Sequence, residues 1–528
     1  MNIPIISSKK NTFYNLFILI LISIYLLYLI PANVDLSSGA YYLFMDEQIS
    51  YDEIYKIIHS KNFIDLLRNV VGGDQRYGRI IYYITAIFCF TPAKLFGVTG
   101  QIISTRMFFA FALILSYYIL SKTFIKNKII SLFLFICLMC IPTTSYFSTL
   151  PKPEPFLLLF LSLFLFFHIK NKGLFGIHFI FLGLSFGSKI SIFFSIILIF
   201  SLSFLTEKMS NKNLMSNNVA KNFIYSILFF LLGFFIAVPI IPISLFKHSL
   251  FKLYLYSTFW GSAHGSDDLT INIFVWIKEI LTNWLNAPMF LSAAIFCLSF
   301  FLIGKNVMKV KFDFVKKSSI QISILLILSI SLTLPILFLV KRVWFFYLHV
   351  GVVFYMILLF FSIEKEMSRN RKFCFYSLFF VLFYSIYYMF YDQVKYLKIQ
   401  ANRSKSQETI LQQKRFDFVL NTLNIASINQ KKTTIFYSPH FYRLENSKFD
   451  IVEVWNYFDS WQEGRDFVFL SNANNPKISK PLNTNAQFKS WKKSVLNYDK
   501  FVNQNGVIPS YIEIVSGIDG LYVFKRIR

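Results

Sequence analysis

Eleven apolar runs divide the first 392 residues of this chain, most of them long enough to cross a bilayer as a helix. They lie at about 13–31, 105–121, 129–147, 156–169, 174–188, 190–205, 222–243, 286–304, 318–340, 344–363 and 373–391. A helix crossing the hydrocarbon core needs roughly 20 apolar residues, and a backbone immersed in lipid must satisfy its own hydrogen bonds, which favours helices of this kind. The chain is therefore expected to be an all-α polytopic membrane bundle of about eleven spans. Composition agrees: 55% of the 528 residues are hydrophobic, 65 are Phe and 30 are Tyr, while 15% are charged, against about 25% in ordinary soluble domains.

The formal charge of +26 comes from 53 Lys+Arg against 27 Asp+Glu. The basic residues fall in short clusters between apolar runs, which is the positive-inside pattern and not a nucleic-acid footprint. With Lys9 and Lys10 in the cytoplasm, KTFIKNK (122–128), KNK (170–172), Lys208 with Lys212 and Lys221, KNVMKVKFDFVKK (305–317) and EKEMSRNRK (364–372) all fall inside as well. The N-terminal run lacks a small-x-small cleavage site and reads as an uncleaved first span. The expected location is the plasma (inner) membrane, multi-pass, with the N-terminus cytoplasmic.

This count depends on residues 80–97, IIYYITAIFCFTPAKLFG. Their uninterrupted apolar part ends at Thr91-Pro92, after about 11 residues, too short for a span. They are expected to form a helix in the outer interface or a shallow re-entrant one, leaving 32–104 as a first outer loop with interfacial helices. Around Gly187 and Lys189 two short runs are expected to form a tight helical pair with the lysine at its outer turn.

From residue 393 the composition turns polar. TTIFYSPH, FDIVEVWNYF, RDFVFLS and YIEIVSGIDGLYVFKR read as strands rich in β-branched and aromatic residues. The expected organisation is a transmembrane catalytic domain, 1–392, followed by a small extracytoplasmic α/β domain, 393–528. The five cysteines lie in apolar segments and read as small core residues.

On that topology the ionisable residues of the outer face gather. The first outer loop carries Asp46, Glu47, Asp52, Glu53, Asp74, Arg76 and Arg79; the second carries Lys152 and Glu154; Lys189, then Lys341 and Arg342, stand at later outer boundaries. A carboxylate at the rim of an apolar bundle suits a general base acting on an acceptor hydroxyl or amine. Cations at the membrane boundary suit a departing lipid phosphate. Glycosyl transfer from a polyprenyl-phosphate sugar needs both. His264 with Asp267 and Asp268 reads as a Gly/Ser loop and not as a metal site, and Asp52 and Glu53 read as an exposed helix face.

Four segments in order resemble the GT-C superfamily of integral-membrane glycosyltransferases, the branch with lipid A aminoarabinose transferase and the protein O-mannosyltransferases. They are MDEQISYDEIYK with its acidic pair; QRYGRIIYYITAIFCFTPAKLFG, where Gly78-Arg79 replaces the usual Lys-Pro; LPKPEPFLLLF, with Glu154 where Asp is commoner; and GLSFGSKISIFF with Lys189. Arg342 is a looser fifth match.

The resemblance implies Asp46 as catalytic base, Glu47 assisting and Glu154 as a further catalytic acid. It implies Arg79, Lys152, Lys189 and Arg342 as contacts to the donor phosphate. The donor would be a polyprenyl-phosphate monosaccharide and the acceptor an envelope glycan, lipid or protein, reached by inverting displacement on the extracytoplasmic face. No cofactor is called for, and a divalent metal is allowed but not indicated. The rival readings are an envelope polysaccharide polymerase or ligase using a lipid diphosphate donor, and a transporter of lipid or solute.

Overall fold

The computed structural model describes residues 17–29, 45–72, 78–189, 192–210, 217–244, 297–306, 317–335, 345–367 and 369–402, five strands between 433 and 526, and a few isolated positions. These fall into two units, a helical one reaching to Gln400 and a second that holds the strands and also takes in Met45–Gln48, the first turn of a helix whose remainder belongs to the first unit.

The helical unit begins with α1 (Phe17–Leu29). Two short helices follow, α2 (Met45–Ile58) and α3 (Phe63–Val71), and then the long α4 (Arg79–Phe124). After these come α5 (Lys128–Met139), α6 (Pro142–Thr149), α7 (Glu154–Lys170), α8 (Phe179–Ser188), α9 (Phe193–Ser210), α10 (Asn217–Ala237) and α11 (Ile240–Ser244). The unit continues with α12 (Lys317–Ser331), α13 (His349–Met367), α14 (Arg371–Tyr384) and α15 (Phe390–Ala401). Three helices among the described residues are long and apolar enough to cross a membrane, or four if the bent pair α5–α6 is one span. Much of the expected 286–304 run and the ends of 318–340 and 344–363 lie outside the described residues.

The 80–97 segment is helical and ends at a break within α4. Gly97 sits at φ 62°, ψ −147°, a conformation that only glycine adopts readily, and it separates the helix of the first loop from the span that follows. Ile87, Phe88, Leu95 and Phe96 are exposed on this half of α4, and α3 exposes Phe63, Ile64 and Leu67. Both helices of the first loop therefore carry an apolar face that the described protein leaves uncovered.

The 129–147 run, expected as one span, is instead two helices bent by 65°. Pro142 at the start of α6 cannot donate to the preceding turn, which frees the carbonyls at the end of α5. Gln393 of α15 donates Nε2 to the carbonyls of Met139 (2.6 Å) and Ile141 (2.5 Å), and Thr144 Oγ1 donates to Leu138 O at 3.1 Å. Side chains thus supply what water cannot supply inside an apolar bundle. Beside the bend, His349 at the start of α13 bonds Thr143 Oγ1 through Nδ1 (2.6 Å) and the Tyr117 hydroxyl through Nε2 (3.0 Å). This buried polar knot fixes the turn 345–348 just ahead of it.

The tight pairing expected around Gly187 and Lys189 takes a different form. α8 packs chiefly against α10 and α7, not against α9. The cause is a glycine on each of α8 and α10. A Cβ on Gly183 would stand 2.0 Å from Phe230 O, and one on Gly233 would stand 2.1 Å from Ile180 O. Small residues let membrane helices approach at backbone distance.

In the second unit five strands form one mixed sheet in the order β2-β1-β3-β5-β4: β1 (Thr433–Tyr437), β2 (Phe449–Glu453), β3 (Phe467–Ser471), β4 (Tyr511–Ile518) and β5 (Leu521–Arg526). β1 pairs in parallel with β2 and β3, while β5 pairs antiparallel with β3 and β4. The stretch YIEIVSGIDGLYVFKR, read as one strand segment, is two antiparallel strands, β4 and β5. The crossovers that parallel pairs require lie outside the described residues, as do the helices of the expected α/β domain. No break in the chain marks residue 393, since α15 runs through it to Ala401.

Candidate active site

The acidic pair opens α2. Asp46 and Glu47 occupy its first turn, where carboxylates favour helix formation, but their side chains lie outside the described residues. The rest of α2 shows how the helix is seated. Ser50, Tyr51, Glu53, Ile54, Ile57 and Ile58 are buried, while Tyr55 and Lys56 are exposed. In helical register, positions 46 and 47 precede this buried set by one and two turns.

Glu53, read from sequence as part of an exposed face, is only 4% exposed and accepts a hydrogen bond from Arg79 Nη1 at 2.5 Å. Its other oxygen is 2.7 Å from Lys56 Nζ. Arg79 itself is wholly buried. Its Nε donates to Val70 O at 3.1 Å, its Nη2 donates to Asn69 O, and its guanidinium lies 5.0 Å from the centre of the Tyr82 ring. The two carbonyls belong to the last turn of α3, whose orphan acceptors the arginine takes up. These bonds tie α2, α3 and α4 together through Arg79.

The other motifs close on this corner. Gly78 packs on the end of α8 so closely that a Cβ there would stand 2.2 Å from Gly187 O, and its N–H donates to Ser188 O at 3.5 Å. One residue on, Lys189 pairs with Glu154 Oε1 and stands 5.1 Å from the centre of the Tyr347 ring. Glu154 opens α7 and is 3% exposed; among the described residues its Oε2 has no hydrogen-bond partner. Lys152, two residues earlier, is also buried. Ser50 Oγ donates to Pro151 O at 3.3 Å, joining this loop back to α2. The four sequence motifs therefore form a closed circuit: α2 to Arg79, Gly78 to Ser188, Lys189 to Glu154, and Pro151 to Ser50.

Three participants escaped the sequence reading. Tyr51 is buried, and its main-chain carbonyl accepts from Gln101 Nε2 at 2.9 Å, while Arg106 Nε donates to its hydroxyl at 3.1 Å. An arginine at the head of the apolar run 105–121 was the available signal, since a charge retained at that depth marks a partner. Arg342 lies outside the described residues, as do His264, Asp267 and Asp268. The described residues contain no group of three or more His, Cys, Asp or Glu able to hold a metal.

No protein-family model and no curated protein sequence matches this chain. In three dimensions it matches the crystal structure of ArnT from Cupriavidus metallidurans bound to undecaprenyl phosphate, with a TM-score of 0.56 at 10% identity over 96% of this chain and 98% of ArnT. A likeness at that identity is a likeness of fold, and it extends over nearly the full length of both chains. The chain has the fold of that ArnT structure.

Proposed function

We propose that this protein is an inverting glycosyltransferase that moves a monosaccharide from a polyprenyl-phosphate donor to an envelope glycan, lipid or protein. The observation that carries this reading is the closed circuit of the four motifs, which gathers buried carboxylates and cations at one corner of an ArnT-like fold. That the ArnT structure holds undecaprenyl phosphate supports the donor class.

In this reading Asp46, with Glu47 beside it, takes the proton from the acceptor hydroxyl or amine as that group attacks the anomeric carbon. The bond from that carbon to the phosphate oxygen breaks, and the polyprenyl phosphate leaves with the electron pair, so the anomeric centre inverts. The donor diester carries one negative charge and the departing monoester gains a second. Lys189, Lys152 and Arg342 would neutralise it, an interaction that strengthens as the charge develops. Glu154 holds Lys189 through one oxygen and keeps the other for the sugar. Arg79 acts at a distance, by holding α2 and α3 in place.

The remaining assignments follow from the basic loops. The N-terminus is cytoplasmic, the reaction takes place on the extracytoplasmic face of the plasma (inner) membrane, and residues 393–528 form an extracytoplasmic α/β domain. α3 and the first half of α4 lie in the outer interface, with their exposed apolar faces in lipid.

The test uses protein in nanodiscs and a panel of undecaprenyl-phosphate monosaccharides, with released undecaprenyl phosphate and transferred sugar both measured. Wild-type protein should release the lipid phosphate from one member of the panel, and Asp46→Asn should not. Unchanged release by Asp46→Asn would sink the assignment of the base. Turnover of a lipid diphosphate donor in place of every panel member would favour the polymerase or ligase reading.

A further inference from the structure

Arg106 is 5% exposed in the second half of α4, among residues that are otherwise largely apolar. Burying a guanidinium there is costly unless its donors are well used. Its Nε reaches the Tyr51 hydroxyl, while Gln101 on the same helix takes the Tyr51 carbonyl. Both ends of one residue of α2 are thus held from one helix. The carbonyl bond fixes where the axis of α2 lies, and the hydroxyl bond, at the far end of a rigid ring, fixes how α2 is rotated about that axis. Ser50 and Glu53 tether the same helix to Pro151 and Arg79, so loss of the hydroxyl bond should let α2 roll without freeing it.

Tyr51 lies five residues after Asp46 and four after Glu47, so any roll or slip of the helix is passed to the first turn at about 1.5 Å per residue of slip. We propose that Arg106, acting through the Tyr51 hydroxyl, is a positioning residue that holds the acid-bearing turn of α2 in its reacting geometry. This rests on the reading of Asp46 as base given above. It differs from the role of Arg79, which joins α2 to α3 through Glu53, two residues on from Tyr51.

Tyr51→Phe deletes the acceptor and keeps the ring, and Arg106→Lys keeps the charge but loses the fork. Two measurements are made on nanodisc protein whose melting temperature is first compared with wild type. The first needs no substrate: amide hydrogen exchange should quicken over 45–58 in Tyr51→Phe and stay at the wild-type rate elsewhere. The second uses the undecaprenyl-phosphate sugar that the panel identifies. There kcat should fall roughly ten- to a hundredfold, since a misplacement of about 1 Å can cost a hundredfold, with the donor KM held within about twofold of wild type. Added to Asp46→Asn, Tyr51→Phe should cost nothing more, because there is no longer a base to position.

Wild-type exchange over 45–58 in Tyr51→Phe overturns the proposal. An inactive Asp46→Asn protein beside a fully active Tyr51→Phe protein overturns the positioning role and leaves the base standing. A fully active Asp46→Asn protein overturns the base and this proposal with it.

Discussion

Replacing Arg79 by methionine keeps an apolar stem and deletes the guanidinium, and the consequences can be worked from its contacts. Glu53, with a side chain 5% exposed, would be left with Lys56 as its nearest cation, and the carbonyls of Asn69 and Val70 would each lose a donor. Removing one partner of a buried ion pair costs about 3–5 kcal/mol, and a carbonyl left dry costs about 1–3 kcal/mol. Lys56 offsets part of this, but its side chain is 46% exposed, so solvent screens its help. The expected loss is about 3–5 kcal/mol, read from SDS titration of the protein in mixed micelles. The double variant Glu53→Gln/Arg79→Met removes the stranded charge and should recover a large part of that loss. A single variant within about 1 kcal/mol of wild type would refute the reasoning, because at that size the pair behaves as an exposed one. So would a double variant no better than the single.

Three further outcomes follow from close contacts elsewhere. Gly78→Ala would place a Cβ 2.2 Å from the Gly187 carbonyl, and overpacking of that kind costs about 1–3 kcal/mol; a lowered melting temperature checks it, and an unchanged one shows that the chain yields there freely. Lys189→Gln strands the Glu154 carboxylate, 3% exposed, at about 3 kcal/mol, whereas Lys189→Arg should hold stability; equal melting temperatures for the two variants would show that the charge is not what holds the corner. His349→Leu leaves the Thr143 hydroxyl without its ring partner and costs about 1–3 kcal/mol, while Tyr117 keeps Thr144 at 2.9 Å; a melt unchanged from wild type would contradict the buried network.

The helical membrane plan was legible because the requirement it meets is local. A run of apolar residues of the right length has few alternatives in lipid, and short range also explains why Gly97 and Pro142 could end helices where they do. The break at Pro142 was nevertheless read as continuous span, because composition alone does not show that Gln393, more than 250 residues on, stands ready to take the freed carbonyls. The same limit applied to α8. Its neighbour in sequence is α9, but its packing partner α10 is chosen by Gly183 and Gly233, and a match between surfaces of two separate helices leaves no mark at either site alone.

The candidate site divides along the same line. Residue type and position relative to the apolar runs were enough to gather the ionisable residues of the outer face, since charge at a membrane edge is costly wherever it occurs and its placement is therefore informative; the four motifs came from the resemblance to a known superfamily. Which charge meets which was decided by the tertiary structure. Burial and partners turn Glu53 from a helix face into the anchor of Arg79, pair Lys189 with Glu154, and bring Arg106 to Tyr51 across 55 residues. A buried side chain takes its role from the groups that replace water around it, and those groups come together only when the helices pack.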